Sequence, residues 1–170
     1  MTSSGSWSVK VSPCRPIIDS SLLAEVVNAV CAEGRWMRTT RFEPTPAWQH
    51  ALTEPDCPHH LLLVARDGER PIGWCRTSPT DLPGEAEIGI GLLPPYRDRG
   101  IGTDMVRRTL NWACEQSLVR LTLTTRKDNQ RALHVFEKCG FSPTGRREGK
   151  WIEMDYPLRD IETRRHCCEQ

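Results

Sequence analysis

Gly100-Ile101-Gly102 separates a run that alternates like a strand from a run with the apolar spacing of a helix. This junction constrains the 170-residue chain more than any other feature. The strand reads Glu87-Ile88-Gly89-Ile90-Gly91-Leu92, and the helix runs from about Thr103 to Ser117. Two glycines just ahead of a helix leave backbone N–H groups pointing at whatever sits over its first turn, and that group should be an anion. Arg97 and Arg99 flank the turn and can add charge-assisted bonds to phosphate oxygens. The segment is therefore expected to hold a pyrophosphate. The dinucleotide fingerprint is excluded, because its third glycine is replaced by the run Thr103-Asp104-Met105. A Walker loop is excluded too, since the chain has no Gly-Lys-Ser/Thr triplet.

A second segment lies downstream, Asn129-Gln130-Arg131-Ala132-Leu133-His134-Val135-Phe136-Glu137-Lys138-Cys139-Gly140-Phe141. It reads as a capped helix. Asn129 is the N-cap, and Ala132, Leu133, Val135, Phe136 and Cys139 form the apolar side. Gly140 suits the left-handed position past the end, with Phe141 as the hydrophobic contact that follows it.

Together, Arg97-x-x-Gly100-x-Gly102 and Asn129-x-x-Ala132-x-x-x-Phe136-x-x-x-Gly140-Phe141 resemble the GNAT superfamily of N-acetyltransferases, in order and in spacing. The resemblance spans roughly 7–158, and its specific part is 85–141. It implies an α/β fold with a central mixed, mostly antiparallel sheet flanked by helices. It also implies acetyl-CoA as cosubstrate. Ile90, Gly91 and Leu92 would line the pantetheine arm, and a backbone N–H near Leu92 would face the thioester oxygen. Arg97, Asp98, Arg99, Gly100, Ile101, Gly102 and Thr103 would form the pyrophosphate loop. Asn129, Ala132 and Phe136 would complete the cofactor side from the second helix.

The resemblance also raises the general base. Many relatives use a glutamate of the fourth strand acting through water, and Glu87 is the candidate, with Glu85 on the same face by strand periodicity. A solvated carboxylate at a strand start fits the residues equally. Relatives that acetylate protein N-termini carry a glutamate on the fifth strand, where this chain has Thr124. The family often places a tyrosine acid where this chain has Phe136, which cannot donate a proton. By residue type the other donors are Tyr156, Tyr96 and His134; water, or unassisted departure of the thiolate, are further routes. Arg35 and Trp36, in the loop that the resemblance places beside the acceptor, are the candidate substrate contacts, with Arg38 nearby. Trp48, Trp74 and Trp151 fit either an acceptor pocket or the core. The acceptor is expected to be a small-molecule amine. A protein lysine or N-terminus is the rival, and an acyl-CoA-binding module with little chemistry is the alternative of another class. A homodimer is a further expectation.

Charge and length agree with one enzyme domain. A net charge of +1 gives no electrostatic case for nucleic acid or a membrane surface. No apolar run of 18 residues appears, and the polar start (1–6) lacks the apolar stretch of a signal peptide, so a cytoplasmic protein is expected. The domain is expected at 7–158 and a polar tail at 159–170. The eight cysteines show no C-x-x-C pair and read as reduced and buried, with no metal site expected. Cys167-Cys168-Glu169-Gln170 only formally resembles a prenylation box, and Arg164 to Cys168 reads as a solvated tail.

The remaining elements read as follows. A strand covers Trp7–Val11. A helix is capped by Asp19 or Ser20, has the stripe Leu22, Leu23, Val26, Val27 and Val30, and ends at Gly34. A loop and a short helix from Pro46 to about Glu54 follow. Strands at Leu61–Ala65 and Ile72–Arg76 flank a turn at Asp67-Gly68, and Ser78–Gly84 is a further turn. A strand covers Arg120–Thr125, Gly145–Gly149 is a basic turn, and Lys150–Tyr156 is the last strand.

Overall fold

The computed structural model describes residues 8–54 and 57–158. The lead-in, Trp7 and the tail lie outside the described residues, so the readings made there stay as expectations. In chain order the elements are β1 (Val9–Pro13), α1 (Pro16–Ala32), α2 (Pro46–Thr53), β2 (Leu61–Asp67), β3 (Arg70–Pro79) and β4 (Glu85–Leu92). They continue with a single 3-10 turn (Pro94–Tyr96), α3 (Ile101–Glu115), β5 (Arg120–Arg126), α4 (Gln130–Lys138), β6 (Ser142–Glu148) and β7 (Trp151–Pro157). The strands form one seven-stranded sheet in the order β1-β2-β3-β4-β5-β7-β6. Every neighbouring pair is antiparallel except β4 with β5. The mixed α/β architecture is the expected one. No helix among the described residues is long and apolar enough to cross a membrane.

Both faces of the central strands are covered, which explains why β2 is apolar at consecutive rather than alternate positions. Leu61, Leu63 and Ala65 join Ile88, Met105, Val106, Leu121 and Phe136 in one core. Leu62, Val64 and Trp74 face the other way, against Leu23, Val26, Val27 and Val30 of α1.

Four local readings need correction. The first concerns the start of α1, which lies at Pro16, a residue that suits a first helical position because it has no N–H to satisfy. Asp19 is therefore inside the helix and not its cap. It is fully buried, its carboxylate accepts the Arg15 N–H at 2.6 Å, and it pairs with the buried Arg66 guanidinium of β2. Burial raises the Asp19 pKa, but the Arg66 and Arg15 bonds more than reverse this, leaving it below its ordinary value of 3.8. Second, Leu22 points outward at 42% exposure, and the buried stripe is Leu23, Val26, Val27, Val30 and Cys31. Third, the expected turn at Gly145–Gly149 mostly belongs to strand β6. β6 is an edge strand, exposed along most of its length, and its ladder with β7 shifts register between Pro143 and Arg147. With no buried face, it carries no alternating pattern to read. Fourth, α3 begins at Ile101, two residues before the expected start.

Candidate active site

The site begins where the parallel ladder fails. β4 pairs with β5 only from Glu85 with Arg120 to Ile88 with Leu123, yet β4 continues to Leu92 and β5 to Arg126. Beyond Ile88 the two strands part, while β4 stays registered with β3 as far as Leu92 opposite Gly73. The Leu93 N–H donates to the Ile72 carbonyl at 2.9 Å. Antiparallel pairing alternates from residue to residue, so Leu92 and Ile90 turn their N–H and C=O groups to the opposite edge, into the gap. The Leu92 carbonyl does accept there, from Arg97 Nε at 2.9 Å. The gap forms a cleft of about 170 Å³ lined by Ile90, Gly91, Leu92, Asn129, Ala132 and Phe136 among others. All six are residues that the family resemblance implies for the cofactor side. Gly91 is required by packing, since a Cβ there would meet the Trp74 ring at 2.3 Å.

Below the cleft lies the glycine turn. Gly100 is the N-cap of α3 at φ 80°, a left-handed conformation that glycine adopts without penalty. The Asp104 N–H donates to the Gly100 carbonyl at 3.0 Å, so the N–H groups of Ile101, Gly102 and Thr103 have no acceptor inside the helix. They open on a second cavity of about 390 Å³, which Arg131, His134 and Lys138 of α4 also line. A Cβ at Gly102 would stand 3.9 Å from Leu92 Cδ1 and 4.0 Å from Val135 Cγ1. The protein's own packing therefore does not require a glycine at 102, and its bare backbone instead keeps the cradle open. These features fit a pyrophosphate and an extended amide-bearing arm.

The arginines differ from their sequence reading. Arg97 lines both cavities, but its guanidinium holds the Leu92 carbonyl and forms an ion pair with Glu33 at the end of α1. It ties three elements together at the edge of both cavities. Arg99 lines neither cavity. Asp98, at φ 60°, lines the cradle and pairs with Arg131 at 2.9 Å. The cations of the cradle missed by sequence are Arg131 and Lys138. Both sit inside the second motif, one helical turn apart from Val135 and His134, and that spacing was the signal available.

Asn129 caps α4 as expected, its Oδ1 accepting the Ala132 N–H at 3.2 Å, and its amide group borders the cleft. Phe136 lies on the floor, 4% exposed, with its ring centroid 6.0 Å from that of Phe141. None of the alternative donors reaches the cleft wall. Tyr96 is buried and donates to Asp67 at 2.9 Å, Tyr156 packs on Phe141, and His134 sits in the cradle.

Glu87 is exposed, on the α1–α2 side of the sheet and outside the lining of the cleft. Glu85 shares that face but is held by Arg120 at 3.0 Å, in a cluster that also includes Asp155. Beside Glu87 is Arg76, which sequence reading passed over. Its guanidinium lies 4.8 Å from the Trp48 ring, and its buried Nη1 has no hydrogen-bond partner among the described residues. Burial pushes the Arg76 pKa down, and the Glu87 charge acts in the opposite direction.

On the acceptor side the structure brings Trp36 to the cleft but leaves Arg35 exposed, stacked 4.3 Å over the Trp36 ring and off the cleft wall. Arg38 is committed elsewhere. It bonds Glu148 at 2.9 Å and lies 5.3 Å from the Trp151 ring, so it straps the α1–α2 loop to the β6–β7 turn. The tryptophans do not share a pocket: Trp48 and Trp74 belong to the α1–α2 core, 6.4 Å apart, and Trp151 stands by β6.

The same fold recurs among known proteins. A family model described as "Acetyltransferase (GNAT) family" matches residues 25–141. The chain is 27% identical over 107 residues to the peptidyl-lysine N-acetyltransferase YjaB of Escherichia coli, covering 63% of this chain and 65% of that protein. It is 33% identical over 107 residues to the N-alpha-acetyltransferase RimI of Mycobacterium tuberculosis, covering 61% and 64%. The match thus spans just under two thirds of these relatives. Among solved structures, yncA of Salmonella typhimurium, described with its cofactor acetyl-CoA, superposes with a TM-score of 0.75 at 14% identity over 90% of this chain and 95% of that one. At that identity the likeness concerns the fold. The matched family model covers both motifs, the parted strands and the glycine turn, and the chain belongs to the GNAT acetyltransferase family.

Proposed function

We propose that the protein transfers an acetyl group from acetyl-CoA to a primary amine by direct attack within a ternary complex. The observation that carries this is the parting of β4 and β5 directly above the open glycine turn. The N–H groups of Ile101, Gly102 and Thr103, with Arg131 and Lys138, would hold the pyrophosphate. The Ile90 N–H and C=O and the Leu92 N–H would pair with the amides of the pantetheine arm, as a strand would, while the Leu92 carbonyl stays bonded to Arg97. Acetyl-CoA supplies the activated thioester. The Leu92 N–H, or that of Ile90, donates to the oxygen on which charge develops, while the new C–N bond forms and the C–S bond breaks. The amine's proton passes through water to Glu87. Glu87 and Leu92 lie five residues apart on an extended strand, roughly 17 Å, so the carboxylate cannot reach that position directly. Ile90 is two residues nearer, and a carbonyl bound there needs the shorter water path. The thiolate leaves without a side-chain acid at Phe136. A thiol of pKa about 8.5 is a tolerable leaving group at neutral pH.

The acceptor would enter between the α1–α2 loop and the β6–β7 turn. The Arg38 strap narrows that mouth, which favours a small amine over a folded protein. A peptidyl lysine is the second reading, supported by the printed activity of the E. coli relative. The test is thiol release from acetyl-CoA with a panel of small amines beside lysine peptides. Amine-dependent release that Glu87→Gln lowers by about 10²-fold or more, the usual worth of a positioned base, supports the proposal. Tight binding of acetyl-CoA with no release over the panel would favour a binding module instead.

A further inference from the structure

The strongest unused cluster lies away from the cleft, on the connection from α2 to β2. His50 sits in the last turn of α2, and Cys57 and His60 follow before β2 begins. One donor atom from each lies within 4.8 Å of the other two, and the imidazole centroids are 4.6 Å apart. His50 Nε2 and His60 Nδ1 are both buried, and neither has a hydrogen-bond partner among the described residues. A desolvated ring nitrogen with no partner is uncommon and calls for one, and here two of them stand together beside a thiol. The sequence pattern conceals this arrangement, because an intervening run of six residues separates His50 from Cys57.

The backbone holds the three donors in place. The Glu54 N–H donates to the His50 carbonyl at 2.8 Å, the Cys57 N–H to the Glu54 carbonyl at 3.2 Å, and the His60 N–H to the Cys57 carbonyl at 3.3 Å. These bonds step from helix to turn to strand, and the two-residue spacer between Cys57 and His60 lets neighbouring donors chelate one ion. Around a tetrahedral zinc ion with N and S ligands at about 2.0–2.3 Å, donor atoms stand roughly 3.3–3.7 Å apart. The cluster reaches that spacing by closing about 1 Å, within the range of side-chain rotation.

We propose that His50, Cys57 and His60 bind one divalent ion of the zinc class, with water or an added ligand in the fourth position. A thiolate with two imidazoles selects zinc over magnesium or calcium, which prefer oxygen. The ion clips the C-terminal end of α2 to the start of β2. That helix carries Trp48, which packs on Trp74 and lies beneath Arg76, so the clip steadies the α1–α2 core under that guanidinium. The site does not depend on the acetyl-transfer reading.

Cobalt(II) titration of the full-length, chelator-stripped protein tests this. One equivalent of cobalt is expected to give intense tetrahedral visible bands and a thiolate charge-transfer band, both displaced by zinc. Cys57→Ser should abolish the charge-transfer band. His60→Gln should weaken binding by more than the roughly 10–100-fold lost when an outer partner of a ligand is removed. A Cys167→Ser/Cys168→Ser variant should keep every signal, which separates the site from the tail cysteines. Circular dichroism of each variant checks its fold. Absence of saturable binding to the unaltered protein would overturn the proposal. So would a charge-transfer band that survives Cys57→Ser, or one lost in the tail variant.

Discussion

Gly102→Ala is expected to strengthen the fold and weaken acetyl-CoA binding at the same time. The new methyl group would meet Leu92 Cδ1 at 3.9 Å and Val135 Cγ1 at 4.0 Å, both ordinary contacts, so no clash opposes it. Gly102 is the second residue of α3, and alanine lowers the entropy cost of ordering the chain there by about 0.5–1 kcal/mol. For a chain of this size that raises the melting temperature by roughly 1–4 °C. The same methyl occupies space over the first-turn N–H groups and displaces a phosphate oxygen from one of them. Loss of one bond to a charged acceptor costs about 1.5–3 kcal/mol, which is a roughly 10- to 150-fold rise in Kd. Thermal unfolding without ligand and isothermal titration with acetyl-CoA read the two effects separately. A stabilised variant that binds acetyl-CoA as well as the parent would remove the pyrophosphate from this cradle. A destabilised variant would refute the packing argument, because it would show that something needs the glycine besides the ligand.

Two further outcomes follow from the buried charges and thiols. Asp19→Asn leaves the buried Arg66 without its counter-charge and should cost about 3 kcal/mol, the low end for a broken buried pair, because Arg66 also bonds Ser12 and the Pro13 carbonyl; urea unfolding measures it. Because the folded-state pKa of Asp19 lies below its unfolded one, its contribution is fully present above the unfolded value, near 3.9, and fades as pH falls through the lower folded value. The difference between parent and Asp19→Asn should therefore shrink in acid, and a difference that grows would contradict it. Burial pushes the Cys75 thiol up to about 12 and the Cys14 thiol to about 11. Both should stay protonated and resist alkylation in the native protein at mildly alkaline pH, then react on unfolding, as peptide mass spectrometry would show.

What the sequence discloses is mostly local. The glycine turn, the Asn129 cap, the Gly140 stop and the Asp67-Gly68 hairpin are each specified by a few adjacent residues, and each forms where it was expected. The strand order and the parting of β4 from β5 depend on pairings between distant segments, which no local pattern specifies. Asp19 misled because a carboxylate near a helix start is normally a cap, and its partner Arg66 is 47 residues away. Arg97 shows the same limit: its type suits phosphate, and nothing adjacent in the sequence announces its bonds to the Leu92 carbonyl and to Glu33, 64 residues away. The His50–Cys57–His60 cluster escaped notice because its members straddle the end of a helix, where linear spacing says little about distance.

The central claim is that the free edge of β4 pairs with the pantetheine arm, and amide exchange read residue by residue by NMR tests it most directly. Without ligand, the Ile90 and Leu92 amides should exchange quickly, while the Gly91 amide, turned toward β3, is protected. Adding acetyl-CoA should protect Ile90 and Leu92 and leave Gly91 unchanged. If neither amide gains protection at saturating acetyl-CoA, the cleft between β4 and β5 is not where the arm binds.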